Sequence, residues 1–131
     1  MSAWLVYLKT MMEMAPAIKR AAVISTDGEV WASSQGDNGF RVNNDELIKF
    51  ASLFNDIENV SSHGADLEAV HYVVPKVENN LMFGKRPNGG FFASKAQLVI
   101  LIAVFDGENQ VVDDVRKVVE RMAQNLIDVG F

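Results

Sequence analysis

The side chains best suited to catalysis or metal binding are few and widely spaced in this chain of 131 residues, which holds two histidines and no cysteine. His63 stands in a Ser-Ser-His-Gly segment that we expect to be a loop, and His71 stands beside Tyr72 in a strand-like run. A zinc site would need both histidines and nearby carboxylates, but no H-x-x-x-H or similar spacing occurs. We interpret both histidines as structural or solvated residues and expect neither a metal nor a cofactor.

The familiar catalytic motifs are also absent from the sequence. Gly84-Lys85 is similar to the end of a phosphate-binding loop, but the full motif is missing and these residues follow a strand instead of opening a helix. No G-x-S-x-G nucleophile motif occurs, and the carboxylates are scattered through turns and helix surfaces. A small-molecule sensor or enzyme would need a deep pocket with converging polar groups, which nothing here requires. We expect a binding protein and not an enzyme.

Aromatic side chains near the two ends of the sequence are its most informative feature. Trp4 and Tyr7 lie one helical turn apart, and an amphipathic helix at the other end carries Leu126 and is followed by Phe131. If the two ends meet, these rings and Trp31 form a water-facing patch, which suits extended proline-rich peptides. The alternative is that Trp4 and Tyr7 simply pack on a sheet as core residues.

The charged residues are unevenly distributed along the chain. Acidic residues crowd positions 27–68, whereas most of the basic residues in the later part belong to the last strands and the final helix. A segregated cationic patch would suit a large acidic partner or an anionic lipid head group, although such a set is also typical of a solvated face. The set comprises Lys76, Lys85, Arg86, Lys95, Arg116, Lys117 and Arg121.

Composition narrows the classes of protein further. The net charge of −5 counts against non-specific binding of nucleic acid, which needs a basic surface. The longest apolar run, residues 98–105, is far too short to cross a membrane. The lack of cysteine fits a reducing compartment, and no signal peptide is visible, so we expect a cytoplasmic protein. The length fits a single domain over residues 1–131.

The first half of the chain predicts a helix, a hairpin and a second helix. Ser2 can cap a helix that runs to Met14. Asp27-Gly28 joins two strand-like runs, residues 18–25 and 29–33, in a register that would place Trp31 opposite Ile24 on one face. Asn43 and Glu46 resemble a capping box that opens the second helix, whose buried stripe is Leu47, Phe50, Ala51 and Phe54.

The second half predicts a run of strands and a long final helix. A polar loop over residues 59–66 precedes three strands, at residues 70–77, 81–84 and 91–95. Residues 98–105 are apolar throughout, as in a central strand that is covered on both faces. An amphipathic helix follows over residues 109–129, with Gly130 as its C′ residue. The order of these helices and strands predicts an α+β fold in which an antiparallel sheet is sandwiched by helices.

Four motifs, taken in order along essentially the whole chain, resemble the profilin family. They are Ser-Ala-Trp-x-x-Tyr at the start, Asp-Gly-x-Val-Trp-Ala at residues 27–32, Phe-Gly-Lys-Arg-Pro-Asn-Gly-Gly-Phe-Phe at residues 83–92, and Val-Val-Glu-Arg-Met at residues 118–122. The resemblance implies the profilin-like fold, with the N- and C-terminal helices on one face of the sheet and shorter helices on the other. It also implies a monomer.

The resemblance further implies a protein that binds monomeric actin, promotes exchange of its nucleotide and delivers it to filament barbed ends. Proline-rich segments of assembly factors would bind between the terminal helices, and phosphoinositides on an overlapping basic surface. Matched by position, the proline groove would comprise Trp4, Tyr7, Trp31, Asn125, Leu126 and Phe131. The actin face would include Lys76, Lys85, Val111, Arg116, Lys117 and Arg121.

Two departures from the pattern of that family bear on proline binding, and a second family shares part of the pattern. Asn125 stands where profilins commonly have His or Tyr, and Phe131 where they commonly have Tyr; each lost contact would cost about 1 kcal/mol of binding. Residues 23–28 followed by Ala32-Ser33 also resemble the hairpin of roadblock-type dimeric scaffolds. A stable dimer would favour that alternative and a monomer the profilin reading.

Overall fold

The computed structural model describes residues 3–131, so the Ser2 cap lies outside the described residues. In that part of the chain, helices α1 to α4 and strands β1 to β7 follow one another, with 3₁₀ turns at Gly36–Asn38 and Leu53–Asn59. The bounds are α1 (Ala3–Met14), β1 (Ile18–Ser25), β2 (Val30–Ser33), α2 (Asn44–Ser52), α3 (Val60–His63), β3 (Ala65–Leu67), β4 (Val70–Glu78), β5 (Leu81–Arg86), β6 (Gly89–Lys95), β7 (Val99–Asp106) and α4 (Gln110–Asp128).

The strands form a seven-stranded sheet in the order β2-β1-β7-β6-β5-β4-β3, with every neighbouring pair antiparallel. Helices α1 and α4 pack on one face through residues such as Leu8 and Val119, and α2 packs on the other through Leu47 and Phe50. The predicted α+β class and its two helical layers are confirmed.

Strand β7 shows why the sheet has a core on each side. Because successive side chains of a strand point to opposite faces, Leu101 and Phe105 enter the first core, under α1 and α4. Ile100 and Ile102 enter the second core, under α2. All four are fully buried, which explains why the sequence of this strand is apolar at every position from Val99 to Phe105.

The β1–β2 hairpin forms as predicted, but its predicted register was wrong. Val23 pairs with Ala32 and Ile24 pairs with Val30, so Trp31 is an extra residue in a β-bulge. Ile24 therefore faces the second core, whereas Trp31 lies against Trp4 of α1. A strict two-residue alternation could not reveal the bulge, because such alternation assumes that one residue of each strand lies opposite one residue of the other.

The region around α2 and α3 differs from the predictions in two places. The Asn43 side chain caps α2 by accepting a hydrogen bond from the Glu46 N–H at 3.1 Å, but the Glu46 carboxylate accepts from the Ala69 N–H at 2.9 Å. The capping box is therefore only half made. The loop predicted over residues 59–66 was wrong, since buried Val60 and Ala65 anchor α3 and β3 despite their polar neighbours.

A buried carboxylate joins parts of the sheet that are distant in strand order. Glu68, in the β3–β4 turn, is 4% exposed and accepts hydrogen bonds from Arg20 Nε of β1 at 2.8 Å and from the Arg41 N–H at 3.0 Å. Hydrogen bonding to Glu68 is the main cause that raises the pKa of Arg20. This pair connects the curled sheet across its second core.

The end of α4 turns the chain back on itself. Gly130 has a φ of +99°, its N–H donates to the Ile127 carbonyl at 3.1 Å, and the Phe131 N–H donates to the Leu126 carbonyl at 2.8 Å. These are the two bonds of a Schellman motif, and they confirm Gly130 as the C′ residue. The Phe131 carbonyl then accepts from the Leu98 N–H at 2.5 Å, which positions the last residue beside the sheet.

Candidate binding sites

Four aromatic rings meet where the two ends of the chain come together, and we call Trp4, Tyr7, Trp31 and Phe131 the aromatic cluster. The Trp4 ring is central, with centroid distances of 6.1 Å to Tyr7, 5.6 Å to Trp31 and 5.0 Å to Phe131. All these pairs are edge-to-face, the geometry that aromatic quadrupoles prefer. The prediction that the two ends meet is confirmed.

Each ring is positioned by a different device. Trp4 and Tyr7 project from α1, and the Tyr7 hydroxyl donates a hydrogen bond to the Met122 carbonyl of α4. Burial raises the pKa of Tyr7 from 10.0 to about 12. The bulge in β2 directs Trp31 toward α1, and the Schellman motif returns Phe131 to the same place.

The exposure of these rings combines the two sequence interpretations, a water-facing patch and packing on the core. Trp4, Tyr7 and Phe131 are half-buried and pack against the first core, while Trp31 is 38% exposed. The rings thus have one side on the core and another toward water. Leu126 belongs to that core and is only 4% exposed, so it supports the rings and offers little surface of its own. Asn125 is exposed on the adjoining turn of α4.

The chemistry that this cluster can perform is recognition of an apolar, extended ligand. A polyproline II segment has no internal hydrogen bonds, so its rings can pack between aromatic rings while its carbonyls need donors. The indole N–H groups of Trp4 and Trp31 are donors of that kind. Such a ligand is stiff before binding and loses little entropy on docking.

A second candidate surface, which we call the cationic face, comprises Lys76, Lys85, Val111, Arg116, Lys117 and Arg121. Lys76 and Lys85 lie on neighbouring strands, where Lys76 pairs with Phe83 and Lys85 pairs with Val73. Lys76 and Arg116 line the same cleft between the sheet and α4, whose volume is about 210 Å³. The structure thus brings together residues from β4, β5 and α4.

Carboxylates partly neutralise this face, so the expected segregation of charge is incomplete. Glu78 lies 2.5 Å from Lys76 Nζ and also accepts a hydrogen bond from Arg116, which contacts Glu120 at 2.5 Å as well. Hydrogen bonds from Lys76 and then Arg116 lower the pKa of Glu78. The hydrogen bond to Glu120 is the main cause that raises the pKa of Arg116.

The remaining members of the cationic face lie further round α4. Val111 and Lys117 border a cleft of about 460 Å³ between the end of α1 and the start of α4. Lys117 and Arg121 are exposed one turn apart, and within residues 3–131 neither forms an ion pair. These two side chains therefore carry the uncompensated positive charge on this helix.

Arg86, which the sequence grouped with the other basic residues, lies away from the cationic face. It lies over the Tyr72 ring, with its guanidinium carbon 5.8 Å from the ring centroid, and 3.9 Å from Asp106. Successive side chains of a strand point to opposite faces, so Arg86, three residues after Phe83 on β5, points away from it. Phe83 packs on the first core.

The two histidines have ordinary surroundings. His71 Nδ1 lies 2.7 Å from Asp66 Oδ1 at an exposed position, and His63 ends the short helix α3 instead of lying in a loop. No group of three or more His, Asp or Glu residues is arranged to hold a metal ion in the part of the chain that the structure describes. None of the helices described is long and apolar enough to span a membrane.

Some groups that shape the two surfaces were missed by the sequence analysis. The Met122 carbonyl and the Leu98 N–H hold Tyr7 and Phe131 in place, and backbone groups leave no signal in the residue pattern. Val73 is 64% exposed beside Lys85. Val73 is exposed because α4 does not cover this part of β4. The residue type alone cannot reveal that position.

Comparison with known proteins gives one consistent family. The family model described as "Profilin" matches residues 2–131. The chain is 48% identical to profilin-1 and 50% identical to profilin-2 of Caenorhabditis elegans, with all of each chain covered. Among solved structures, profilin II of Acanthamoeba castellanii is 31% identical with a TM-score of 0.86, over 98% of this chain and 100% of that one.

Two structures of complexes share the fold at lower identity. A complex named LokiProfilin1/rabbit actin contains a chain 15% identical, with a TM-score of 0.75 and 98% of each chain covered. Mouse profilin IIa, in complex with a double repeat from the FH1 domain of mDia1, is 20% identical, with a TM-score of 0.74 over 99% of this chain and 100% of that one. At these identities the likeness concerns the fold alone.

Proposed function

This chain belongs to the profilin family, and on that premise we propose that it binds monomeric actin at one surface and proline-rich segments at another. The family assignment replaces the roadblock-type alternative. Profilins of the same fold occur in complexes with actin and with an FH1 repeat. We propose that the whole chain acts as one profilin-like domain, that it works as a monomer in the cytoplasm, and that it performs no catalysis of its own.

The aromatic cluster is the observation that carries this proposal. Trp4, Tyr7, Trp31 and Phe131 would contact the proline rings, because their inner sides are fixed by the core and their outer sides face water. Asn125 would contact the ligand from the rim, and Leu126 would support the rings from below. A preassembled surface binds a stiff ligand without the cost of ordering itself.

Actin would bind at the cationic face, through Lys76, Lys85, Val111, Arg116, Lys117 and Arg121. The exposed charges of Lys117 and Arg121 suit an acidic partner and would speed the encounter with it. Exposed Val73 and half-buried Val111 supply apolar surface between the charges. An interface of this kind has charged groups at its rim and apolar contacts at its centre.

The consequences for actin would follow from binding alone. If the chain binds one actin conformation better than another, it shifts the population toward that state and changes the rate of nucleotide exchange without breaking a bond. The same complex would deliver actin to filament barbed ends. Phosphoinositide head groups would compete for Lys117 and Arg121, because the uncompensated charge lies there.

Two titrations test the proposal. Tryptophan fluorescence is followed while a peptide of ten prolines is added, since Trp4 and Trp31 both belong to the aromatic cluster. Monomeric actin is then offered to immobilised protein, with and without saturating peptide. We expect a saturable fluorescence change and actin capture that the peptide does not abolish. Absence of actin capture at tens of micromolar, about the range of weak specific complexes, would contradict the actin assignment.

A further inference from the structure

A carboxylate lies among the cations that we assign to actin binding, and the backbone holds it there. Glu78 is the last residue of β4 and pairs with Leu81 across the β4–β5 turn. Val77 packs against the second core, so its neighbours Lys76 and Glu78 both point to the opposite face of the strand, toward α4. The strand pairing therefore fixes the position of Glu78 beside Lys76.

Glu78 joins the strand to the helix through both oxygens of its carboxylate. Oε1 lies 2.5 Å from Lys76 Nζ, and Oε2 accepts a hydrogen bond from Arg116 Nη2. Arg116 has a second carboxylate partner in Glu120, whereas Lys76 forms no other ion pair among the residues described. Removal of the charge on Glu78 would therefore free Lys76 completely and Arg116 in part.

The cleft between β4 and α4 consequently has no excess of positive charge. Its volume is about 210 Å³, and the half-buried side chains of Phe83 and Val112 are among its apolar lining. Two cations and two carboxylates complete the lining: Lys76, Arg116, Glu78 and Asp113. An acidic group of a partner that approaches this cleft meets Glu78 as a like charge.

The energetics favour exchange of the internal contacts over their retention. The Glu78 side chain is 39% exposed, and ion pairs at such positions contribute little because water competes for both groups. Two like charges brought together at an interface oppose binding far more strongly. Hydrogen bonds from Lys76 and Arg116 lower the pKa of Glu78, so its charge persists at neutral pH. A partner must therefore displace this carboxylate.

We propose that Glu78 is an internal competitor of actin, which occupies on Lys76 and Arg116 the place of a carboxylate from the partner. The inference rests on the proposed actin site. When the acidic surface docks, its carboxylate takes over the contacts with the two cations, and Glu78 turns toward water. Glu78 thus limits the affinity of the cationic face, although the residue belongs to that face by position.

The test is a substitution that removes the charge and keeps the shape. Glu78→Gln retains an oxygen that accepts from Arg116, so the local geometry is preserved. Calorimetric titration with monomeric actin should show an affinity about threefold to tenfold higher than that of the parent at low salt. The gain should shrink at high salt, because screening weakens the repulsion. The affinity for a ten-proline peptide should stay unchanged.

Two further variants show whether the gain arises from the proposed contacts. Glu29→Gln makes the same change of net charge at an exposed position in the β1–β2 turn, whose side chain has no ion pair in the described chain, and it should not alter actin affinity. In a Lys76→Gln background, Glu78→Gln should give a smaller gain, because the cation that it releases most fully is missing. Thermal unfolding confirms that each variant is folded.

Each result supports or overturns the inference. If Glu78→Gln binds actin as well as the parent or more weakly, Glu78 does not compete with actin, and this inference fails while the actin site stands. An equal gain in Glu29→Gln, or an undiminished gain in the Lys76→Gln background, also overturns the inference alone. Binding by Glu78→Gln where the parent shows none would support it. If neither binds actin, the proposed actin site and this inference fail together.

Discussion

The aromatic cluster and the cationic face are built in opposite ways, although both use α4. In the cluster, the Trp4 ring meets its neighbours in edge-to-face pairs, and the core holds the inner sides of the rings. In the cationic face, Arg116 already forms ion pairs with Glu78 and Glu120. Among the described residues, Lys117 and Arg121 are the basic residues of α4 without an ion pair. The first site is assembled before a ligand arrives, whereas the second retains internal partners that a ligand must match or displace.

This contrast in construction predicts how each site responds to substitution and to salt. A site made of packed rings depends on the presence of each ring and hardly on salt. A site made of exposed charges depends on net charge and weakens as ionic strength rises, because the Debye length is about 8 Å at physiological ionic strength. Substitutions that remove a ring or reverse a charge therefore separate the two kinds of site.

Removal of the central ring should have the largest effect. Trp4→Ala deletes a ring that three others contact, so the affinity for a ten-proline peptide should fall at least about thirtyfold, the scale of a binding hot spot. Actin affinity should stay nearly unchanged. Calorimetry measures both. Val6→Ala, at a position on α1 that is 48% exposed, is the control, and a similar loss in that variant would point to damage of the helix instead.

Reversal of one charge on the cationic face should have the next largest effect. Lys117→Glu should lower actin affinity about fivefold to tenfold at low salt and less at high salt, because the new charge repels an acidic partner and salt screens that repulsion. Proline-peptide affinity should not change. Lys49→Glu makes the same change of net charge on α2, across the sheet. An equal loss of actin affinity in both variants would mean that net charge, and not this face, determines binding.

Loss of the Tyr7 hydroxyl should reduce stability more than binding. Tyr7→Phe keeps the ring but removes its hydrogen bond to the Met122 carbonyl, so the free energy of unfolding should fall by about 1 kcal/mol. Proline-peptide affinity should change less than in Trp4→Ala. Chemical denaturation and calorimetry measure the two quantities. A Tyr7→Phe variant that is as stable as the parent would show that the hydroxyl does not hold α1 to α4.

The pKa of Tyr7 predicts how the stability difference between the parent and Tyr7→Phe changes with pH. Because burial raises that pKa from 10.0 to about 12, the neutral hydroxyl is favoured in the folded chain. Its contribution to stability is fully present below pH 10 and is lost as pH rises through about 12. The stability difference between the parent and Tyr7→Phe should therefore shrink above pH 10, and the absorbance titration of the parent should show one tyrosine that ionises late.

Restoration of a hydroxyl at the last residue should have the smallest effect. Phe131→Tyr keeps the ring that contacts Trp4 and adds a donor at the rim of the cluster, so proline-peptide affinity should rise by about twofold to fivefold, the scale of one net hydrogen bond. Fluorescence titration measures the change. Actin affinity should not respond. A weaker peptide complex would show that the hydroxyl clashes with the bound chain.

Much of this architecture follows from local patterns that a reader of the sequence can recognise. The apolar run at residues 98–105 predicted a strand covered on both faces. The structure has that strand from Val99 to Phe105, where its side chains alternate between the two cores, whereas Leu98 is exposed. Asn43 predicted the start of α2 and Gly130 the end of α4, since capping is a local interaction between neighbouring residues. These predictions hold because each depends on a few adjacent residues.

Other features depended on contacts between distant residues and could not be predicted in the same way. Trp31 is a bulge residue whose ring packs against Trp4 of α1, and Glu46 leaves the capping box because the Ala69 N–H competes for its carboxylate. Residues 59–66 looked like a loop because their composition is polar, yet two buried anchors, Val60 and Ala65, hold them in regular structure. Each error came from a tertiary partner that the local pattern does not contain.

Residue type and spacing were enough to predict the fold class, the helical and strand periods and the aromatic residues at the two ends, because they set local conformation and the direction of burial. The folded chain was needed to show that Trp4, Tyr7, Trp31 and Phe131 share one surface and that Glu78 neutralises part of the cationic face. These contacts join α1, β2, β4 and α4, and those elements come together only when the whole sheet has packed.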